Sequence, residues 1–300
     1  MTRRTLLTTL SAGLAAAPSV LAAGRPSGPI VDTHVHLFAA DQKRFPFAPN
    51  APYKPEPLTL EDYVTFAKAA GLDHAVIVHP EPYQDDYRYL EYSFAHEHVR
   101  GFFKGTCLFD PVAKDTPDRI ATLVGQNPGR IVALRIHQTR KPGLPPTSTG
   151  ALKDRDMRAP EMKATWKRCQ QLGLAIQMHF HPFYATQILE LVEQLPDVTV
   201  VLDHLGRVAE GTPAELANVL KLAKHPKVVM KYSNAKAEMK PLVRKIYDAF
   251  GPNRLIWGYF GHDLPGYQKE ADLLEAMFDY ATEDDRGKIR GGNAIKLYKW

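Results

Sequence analysis

The chain has 300 residues, of which 44% are hydrophobic and 24% are charged. This suits one large globular domain or two small ones, and it excludes a disordered tail protein and a disulfide-stapled mini-domain. The net charge of +5 is a slight basic surplus, which argues against nucleic acid as a partner because nucleic-acid binding needs clustered basic residues. Cys107 and Cys169 fall inside predicted elements, so we expect packing roles and no disulfide.

The first 23 residues have the pattern of an export signal. Arg3 and Arg4 precede a moderately apolar run over 6–20, and Leu21-Ala22-Ala23 offers small residues for a signal peptidase. The run holds about 15 Ala-rich residues, short of the ~20 needed to span a bilayer, so a membrane anchor is the less favoured alternative. We therefore expect a twin-arginine-type signal over 1–23 and a periplasmic mature protein with no membrane association beyond export.

After residue 28, short runs rich in Val and Ile alternate with segments of helical periodicity. The predicted strands are 30–37, 75–79, 102–109, 131–136, 174–180, 198–202, 228–232 and 255–258. The predicted helices include 60–70, 162–172, 184–194, 214–223, 241–250 and 271–280. Eight such alternations predict a single α/β domain over 29–300, a (β/α)8 TIM barrel. A doubly wound open sheet is the alternative, which the lack of a Gly-rich phosphate motif disfavours.

Two long segments interrupt this alternation, and each follows the C-terminal end of a predicted strand. Residues 38–57 contain five prolines together with Phe45, Phe47 and Tyr53, and residues 137–159 follow the fourth strand. Because a TIM barrel builds its active site at this end, we expect the segments to cap the mouth, with Tyr53 contacting substrate. Surface insertions are the alternative.

Histidines mark the same end of the predicted barrel. His34 and His36 are two residues apart at the end of the first strand, so they point to the same side, toward the barrel axis. Paired neutral imidazoles pack poorly in a core but are natural metal ligands. His179 ends the fifth strand, His204 ends the sixth, and Asp263 follows the eighth. Each alone has an ordinary structural explanation, but together they predict one site.

Six segments carry a family resemblance. They are Val-Asp-Thr-His-Val-His at 31–36, Phe-Pro-Phe-Ala-Pro at 45–49, Val-Ile-Val at 76–78, Val-Leu-Asp-His-Leu-Gly-Arg at 201–207, Val-Met-Lys-Tyr-Ser at 229–233 and Gly-Asn-Ala-Ile-Lys-Leu-Tyr at 292–298. On these segments the chain resembles the amidohydrolase-related family, in the branch of metal-dependent decarboxylases and of lactonases similar to 2-pyrone-4,6-dicarboxylate lactonase. The resemblance spans essentially all of 29–300, and the segments at 45–49 and 201–207 look most like the lactonases.

The resemblance implies a role for each candidate residue. His34, His36 and His179 would be metal ligands, and His204 would be a ligand or a catalytic imidazole. Asp263 would be the eighth-strand acid, which in the family ligates the metal or takes a proton from the attacking water.

The chain departs from the family pattern at two of these positions. His179 stands where the lactonase branch, which works without metal, has an aromatic residue, and this favours the metal-dependent members. After Trp257-Gly258, the family's acid position holds Phe260, unless three inserted residues place Asp263 there. We favour Asp263 because the Asp-x-Pro spacing survives.

A metal held by such ligands predicts a hydrolytic mechanism. A divalent ion polarises a carbonyl and lowers the pKa of bound water to about 7, and Asp263 or His204 would move the proton. We expect zinc, with manganese as the alternative, and the sequence leaves metal-independent action open. Arg135, Arg207 and Lys231 lie at or near strand ends, where cations suit a substrate carboxylate.

These expectations define a hydrolase that acts on a lactone, or a related C–O or C–N bond, in a small carboxylated substrate. One alternative is a metal-dependent non-oxidative decarboxylase of a small unsaturated or aromatic acid. Another is a non-catalytic periplasmic barrel, which the altered eighth-strand motif permits. The expected partner is a small anionic molecule, and the sequence leaves homo-oligomer formation open.

Overall fold

The computed structural model describes residues 25–140 and 154–300. The strands are β1 Val31–Val35, β2 His74–Ile77, β3 Phe103–Cys107, β4 Ile131–Gln138, β5 Ala175–Phe180, β6 Val200–Leu202, β7 Val228–Tyr232 and β8 Leu255–Trp257. The α-helices are α1 Leu60–Ala70, α2 Arg88–Ala95, α3 Thr116–Gln126, α4 Pro160–Gln171, α5 Ala185–Gln194, α6 Pro213–Lys221, α7 Lys240–Phe250, α8 Leu264–Met277, α9 Glu283–Gly287 and α10 Asn293–Tyr298. The predicted TIM barrel is confirmed, whereas the predicted signal over 1–23 lies outside the described residues.

The strands form one parallel sheet in chain order, from β1 to β8. Two hydrogen bonds join its outer strands. The Thr33 hydroxyl donates to the Trp257 carbonyl at 2.6 Å, and the Tyr259 backbone N–H donates to the Asp32 carboxylate at 2.9 Å. The sheet is thereby nearly closed into a barrel, with the carboxyl ends of all eight strands at one mouth.

The lower half of the barrel interior is apolar. Seven strands contribute small or branched side chains to one cluster, namely Val31, Val76, Ala133, Ala175, Val201, Val229 and Ile256. Ala294 and Tyr298 of α10 pack into the same cluster and close this end. The interior at this end is therefore a packed core, and the histidines lie above it, toward the mouth.

A register shift in β1 aims the two first-strand histidines. The pairing of β1 with β2 shifts between Asp32 and Val35. Before the shift, Val31 faces the interior cluster, while Asp32 accepts a hydrogen bond from Tyr63 of α1 at 2.8 Å. The extra residue reverses the alternation, so that His34 and His36 both face the interior. Without this shift, strand alternation would place both histidines on the same side as Asp32, which faces α1 and not the interior.

The helices follow their predicted positions except near the eighth strand. α8 begins at Leu264, well before the predicted 271–280, because Asp263 caps it and Pro265 fits its first turn. β4 also runs further than predicted, into the segment 137–159, since its last two residues pair with β5. Within the described ranges, no helix is long and apolar enough to cross a membrane. Cys107 and Cys169 are buried free thiols.

The proline-rich segment 38–57 folds back over the barrel mouth. Phe38 and Leu58 exchange backbone hydrogen bonds of 2.8 and 3.0 Å, which close the segment at its base. Phe45 is buried against aromatic rings of α2, and the Ala48 N–H donates to the Pro82 carbonyl at 2.8 Å. This anchoring supports the expected capping role and brings Tyr53 to the rim of the mouth.

Candidate active site

An open cavity of about 970 Å³ lies at the mouth of the barrel. His137, His179 and His204 border it from the ends of β4, β5 and β6, and Tyr53 and Phe260 border it from the loops after β1 and β8. This is the end of the fold at which TIM barrels place their active sites. Its volume suits a small-molecule substrate.

Five imidazole rings follow one another around the mouth. The ring centroids of His36 and His34 are 5.0 Å apart, those of His34 and His204 are 4.6 Å apart, and those of His204 and His179 are 5.2 Å apart. His137 continues the arc, with its centroid 5.1 Å from that of His179. The four histidines predicted from the sequence are thus brought together, and a fifth, His137, joins them.

His34 and His36 have the geometry of a metal-binding pair. Their Nε2 atoms are 3.3 Å apart, which is about the separation of two nitrogens bound tetrahedrally to one zinc ion at ~2.0–2.1 Å. His36 Nδ1 lies 2.6 Å from the Val78 carbonyl, which can only accept, so Nδ1 carries the proton. Because burial lowers the pKa of both rings, they are neutral near pH 7, with His36 Nε2 as a lone-pair donor. The pair fits a divalent ion.

His204 sits on a left-handed turn next to this pair. Residues 204–207 all have positive φ, which is costly for non-glycine residues and is typical of functional sites. His204 Nδ1 lies 2.9 Å from Ser233 Oγ, and burial lowers the pKa of His204 to about 4. Ligand atoms of His34, Asp203 and His204 lie within 4.8 Å of one another.

Asp203 forms a buried ion-pair layer beneath the histidines. Its carboxylate pairs with Lys231 Nζ at 3.0 Å and Arg135 Nε at 3.1 Å, and it accepts a hydrogen bond from Gln177 Nε2 at 3.0 Å. Burial alone would raise the pKa of Asp203, but Lys231 and Arg135 outweigh it and hold that pKa well below its usual range. Both carboxylate oxygens of Asp203 therefore already have cationic or amide partners.

Glu81 is a second site carboxylate that the sequence prediction missed. Its Oε1 lies 3.3 Å from both Arg135 Nη1 and His137 Nε2, and its Oε2 accepts from the Tyr53 hydroxyl at 2.5 Å. Two signals were available. Glu81 follows the second strand, at the functional end of the barrel. His137 is two residues after Arg135 on β4, so strand alternation places the two side chains on the same face.

The predicted substrate contacts divide into two groups. Tyr53 and Arg207 border the cavity, and Arg207 also pairs with Glu210 at 2.5 Å. Arg135 and Lys231 are instead buried under the cavity floor, where they neutralise Asp203 and Glu81. The structure therefore places these two cations away from the position expected for substrate contacts, because carboxylates buried inside a barrel need charged partners.

Asp263 does not join the histidines in this structure. It is exposed and caps α8, where its Oδ1 accepts from the Gly266 N–H at 2.7 Å and its Oδ2 accepts from the Tyr259 hydroxyl at 3.2 Å. The inserted residues after Trp257-Gly258 thus lead into the helix start and not into the barrel mouth.

Phe260 occupies the position beside the imidazoles. Its ring stands nearly perpendicular to that of His34, with centroids 4.8 Å apart, and lies 5.6 and 5.7 Å from the rings of His36 and His204. Its φ of 62° is rare for an aromatic residue. An apolar wall therefore flanks the candidate metal-binding pair on the β8 side.

We expect Asp263→Asn to leave turnover within about two-fold of wild type, because asparagine caps helices as well as aspartate does. Asp263→Ala should lower the free energy of unfolding by about 1 kcal/mol, the usual value of an N-cap. Steady-state rates and denaturant unfolding of both variants test this. A fall in turnover of 10² or more in a stable Asp263→Asn protein would instead assign Asp263 the general-base role implied by the resemblance.

Comparison with known proteins identifies the family of this barrel. Residues 31–300 match the model of the family described as amidohydrolase. The chain belongs to the amidohydrolase family. It is accordingly an enzyme and a hydrolase, and the predicted family is confirmed.

Two characterised relatives of this amidohydrolase are lactone hydrolases by name. It is 25% identical over 297 residues to 4-sulfomuconolactone hydrolase of Hydrogenophaga intermedia, covering 89% of this chain and 88% of that protein. It is also 25% identical over 259 residues to L-fucono-1,5-lactonase of Burkholderia ambifaria, covering 80% of this chain and 84% of that protein.

Solved structures share the fold at lower identity. A probable 2-pyrone-4,6-dicarboxylic acid hydrolase of Acinetobacter baumannii, with citric acid bound, gives a TM-score of 0.70 at 19% identity, covering 90% of this chain and 99% of that one. A zinc-bound amidohydrolase of Burkholderia multivorans gives 0.68 at 18%, covering 91% and 99%. A manganese-bound dihydroxybenzoic acid decarboxylase of Polaromonas gives 0.62 at 14%, covering 91% and 97%.

Proposed function

We propose that this amidohydrolase hydrolyses the ring ester of a small carboxylated lactone. The observation that carries the proposal is the arc of neutral imidazoles at the mouth of a small-molecule cavity, where His204 adjoins the metal-fitting pair His34 and His36. The names of the two relatives described above, each that of a lactone-cleaving hydrolase, favour this substrate class over other cyclic esters or amides.

We also propose a divalent metal at His34 and His36. Zinc suits imidazole donors, and manganese is the alternative, since structural neighbours hold one or the other. When bound, the ion would polarise the ester carbonyl and acidify water. The Val78 carbonyl holds the His36 ring in the tautomer that leaves Nε2 free for it.

We assign the proton transfer to His204. In the tautomer that donates from Nδ1 to Ser233 Oγ, its Nε2 has the lone pair that takes a proton from the attacking water. The water oxygen then bonds to the carbonyl carbon, the ring C–O bond breaks, and the proton passes to the ring oxygen to give a hydroxy acid. A substrate carboxylate fits the rim, where Arg207 and Lys236 border the cavity.

A paired assay tests the activity. The purified protein is offered lactones, with acid release followed by a pH indicator, and unsaturated or aromatic carboxylic acids, with CO2 release followed in parallel. Acid release from lactones without CO2 is the expected result. CO2 release from the acids would favour the decarboxylase alternative, and inactivity on every compound would favour a non-catalytic barrel.

We propose, in addition, export of the folded enzyme to the periplasm by the twin-arginine route. Replacing Arg3 and Arg4 together with lysine should leave the precursor in the cytoplasm, because that route reads the arginine pair. Fractionation of cells expressing each form measures this, with the unchanged chain as control. Normal periplasmic appearance of the double variant would rule out the assignment.

A further inference from the structure

We propose that His179 is a hydrogen-bond donor to the scissile carbonyl oxygen of the substrate, and not a metal ligand. The inference rests on the proposed lactone hydrolysis for its reaction. It assigns His179 a role that differs from the ligand role suggested by its place at the end of β5. The evidence is the hydrogen-bonding partner of its Nδ1 and the position of its Nε2 at the cavity.

The tautomer of His179 is fixed by its neighbour Arg135. His179 Nδ1 lies 3.3 Å from Arg135 Nη2, in hydrogen-bonding geometry. A guanidinium nitrogen can only donate, so Nδ1 must accept and cannot carry a proton. The neutral ring therefore has its only proton on Nε2. A metal ligand needs a lone pair at the nitrogen that faces the ion, and Nε2–H has none.

Two buried carboxylates hold Arg135 in the orientation that imposes this constraint. Its side chain is 2% exposed, and its other nitrogens donate to Asp203 at 3.1 Å and to Glu81 at 3.3 Å. Rotation of the guanidinium would remove one buried ion-pair partner from each of Asp203 and Glu81, which is costly. The Arg135 guanidinium therefore donates to Nδ1 of His179 from a fixed position, and this contact orients the Nε2–H of the ring.

The Nε2–H of His179 remains available to the substrate. His179 borders the cavity, and among residues 25–140 and 154–300 nothing accepts from this nitrogen. Its ring centroid is 5.2 Å from that of His204, the proposed proton acceptor. A base and a hydrogen-bond donor in adjacent positions are what acyl transfer requires, because negative charge develops on the carbonyl oxygen as water adds to the carbon.

Variants of His179 distinguish a hydrogen-bond donor to the substrate from a metal ligand. In His179→Ala, kcat should fall by about 10²–10³, the usual effect of removing one such donor, with little change in KM. His179→Gln retains an N–H donor and should recover part of the rate. Both variants should bind the same amount of metal as wild type, measured on protein purified without chelator or nickel. The control is His79→Gln, a buried histidine outside the cavity that donates to the Gln84 carbonyl.

A direct measurement of the tautomer does not depend on activity. Nitrogen NMR of ¹⁵N-histidine-labelled enzyme, with the His179 signals identified from their loss in His179→Gln, should show a protonated Nε2 and an unprotonated Nδ1. A metal-shifted Nε2, or loss of metal in both His179 variants, would overturn the proposal and restore the ligand role. If wild type cleaves no lactone, the proposed function fails, while the tautomer and metal measurements still decide whether His179 is a ligand.

Discussion

Replacing Asp203 with asparagine should lower the free energy of unfolding by about 3–5 kcal/mol, the usual cost of removing one partner from a buried ion pair. Asp203 is fully buried and is the shared partner of Lys231 and Arg135. Asparagine keeps the shape but not the charge, so Lys231 loses this ion pair and keeps the Thr33 carbonyl, at 3.0 Å, as a neutral acceptor. Arg135 keeps Glu81 but loses its second carboxylate.

Denaturant unfolding of wild type and Asp203→Asn at neutral pH measures this effect, with the exposed Asp263→Asn as the matched control. The pKa of Asp203 in the folded state lies below its value of about 3.9 in an unfolded chain. Its contribution is therefore present above about pH 4 and is lost as the pH falls further, so the gap between the two proteins should narrow on acidification. A loss below 1 kcal/mol at neutral pH would show that the cations are satisfied by other groups.

The barrel and its histidines could be predicted because both depend on local pattern. Apolar runs of strand length alternate with helical periodicity, and alternation along a strand decides which side chains share a face. His179 and His204 lie at the ends of such runs, so the fold brings them to one mouth, whereas His34 faces the interior only because of the register shift in β1.

The charge network beneath the histidines could not be derived in this way. Their position at the functional end of the barrel predicts substrate contacts for Arg135 and Lys231. Their actual partners, Asp203 and Glu81, follow strands that are distant in sequence, and only the folded barrel shows which carboxylate each cation meets. A cation near the strand ends of a barrel can therefore indicate a buried carboxylate partner as readily as a negatively charged substrate.

The eighth-strand region shows a different limit. Sequence spacing offered either Phe260 or Asp263 for the position beside the histidines, and the Asp-x-Pro spacing favoured Asp263. That spacing is equally what starts a helix, since aspartate is a preferred N-cap and proline suits the first turn. The capping interaction at Gly266 accounts for the motif and leaves Phe260 beside the imidazoles.

Replacing His34 and His36 together with alanine should remove bound metal and reduce turnover by at least about 10², while the barrel remains folded. The two Nε2 atoms, 3.3 Å apart, are the proposed metal donors. The fold should tolerate the change because the apolar cluster below, closed by Ala294 and Tyr298, does not include either ring. Among the described residues His34 Nδ1 has no hydrogen-bond partner, so its removal relieves an unsatisfied buried group.

Metal analysis and lactone assays on protein purified without chelator or nickel give both readouts, and circular dichroism with denaturant unfolding reports the fold. His79→Ala is the matched control, because His79 is also buried but bonds the Gln84 carbonyl and is not part of the imidazole arc, so its loss should change stability without changing metal content. Wild-type metal content in the double variant would show that the ion binds elsewhere. A metal-free wild type that is fully active, and is not stimulated by zinc or manganese, would instead assign catalysis to the imidazoles and the buried ion-pair layer alone.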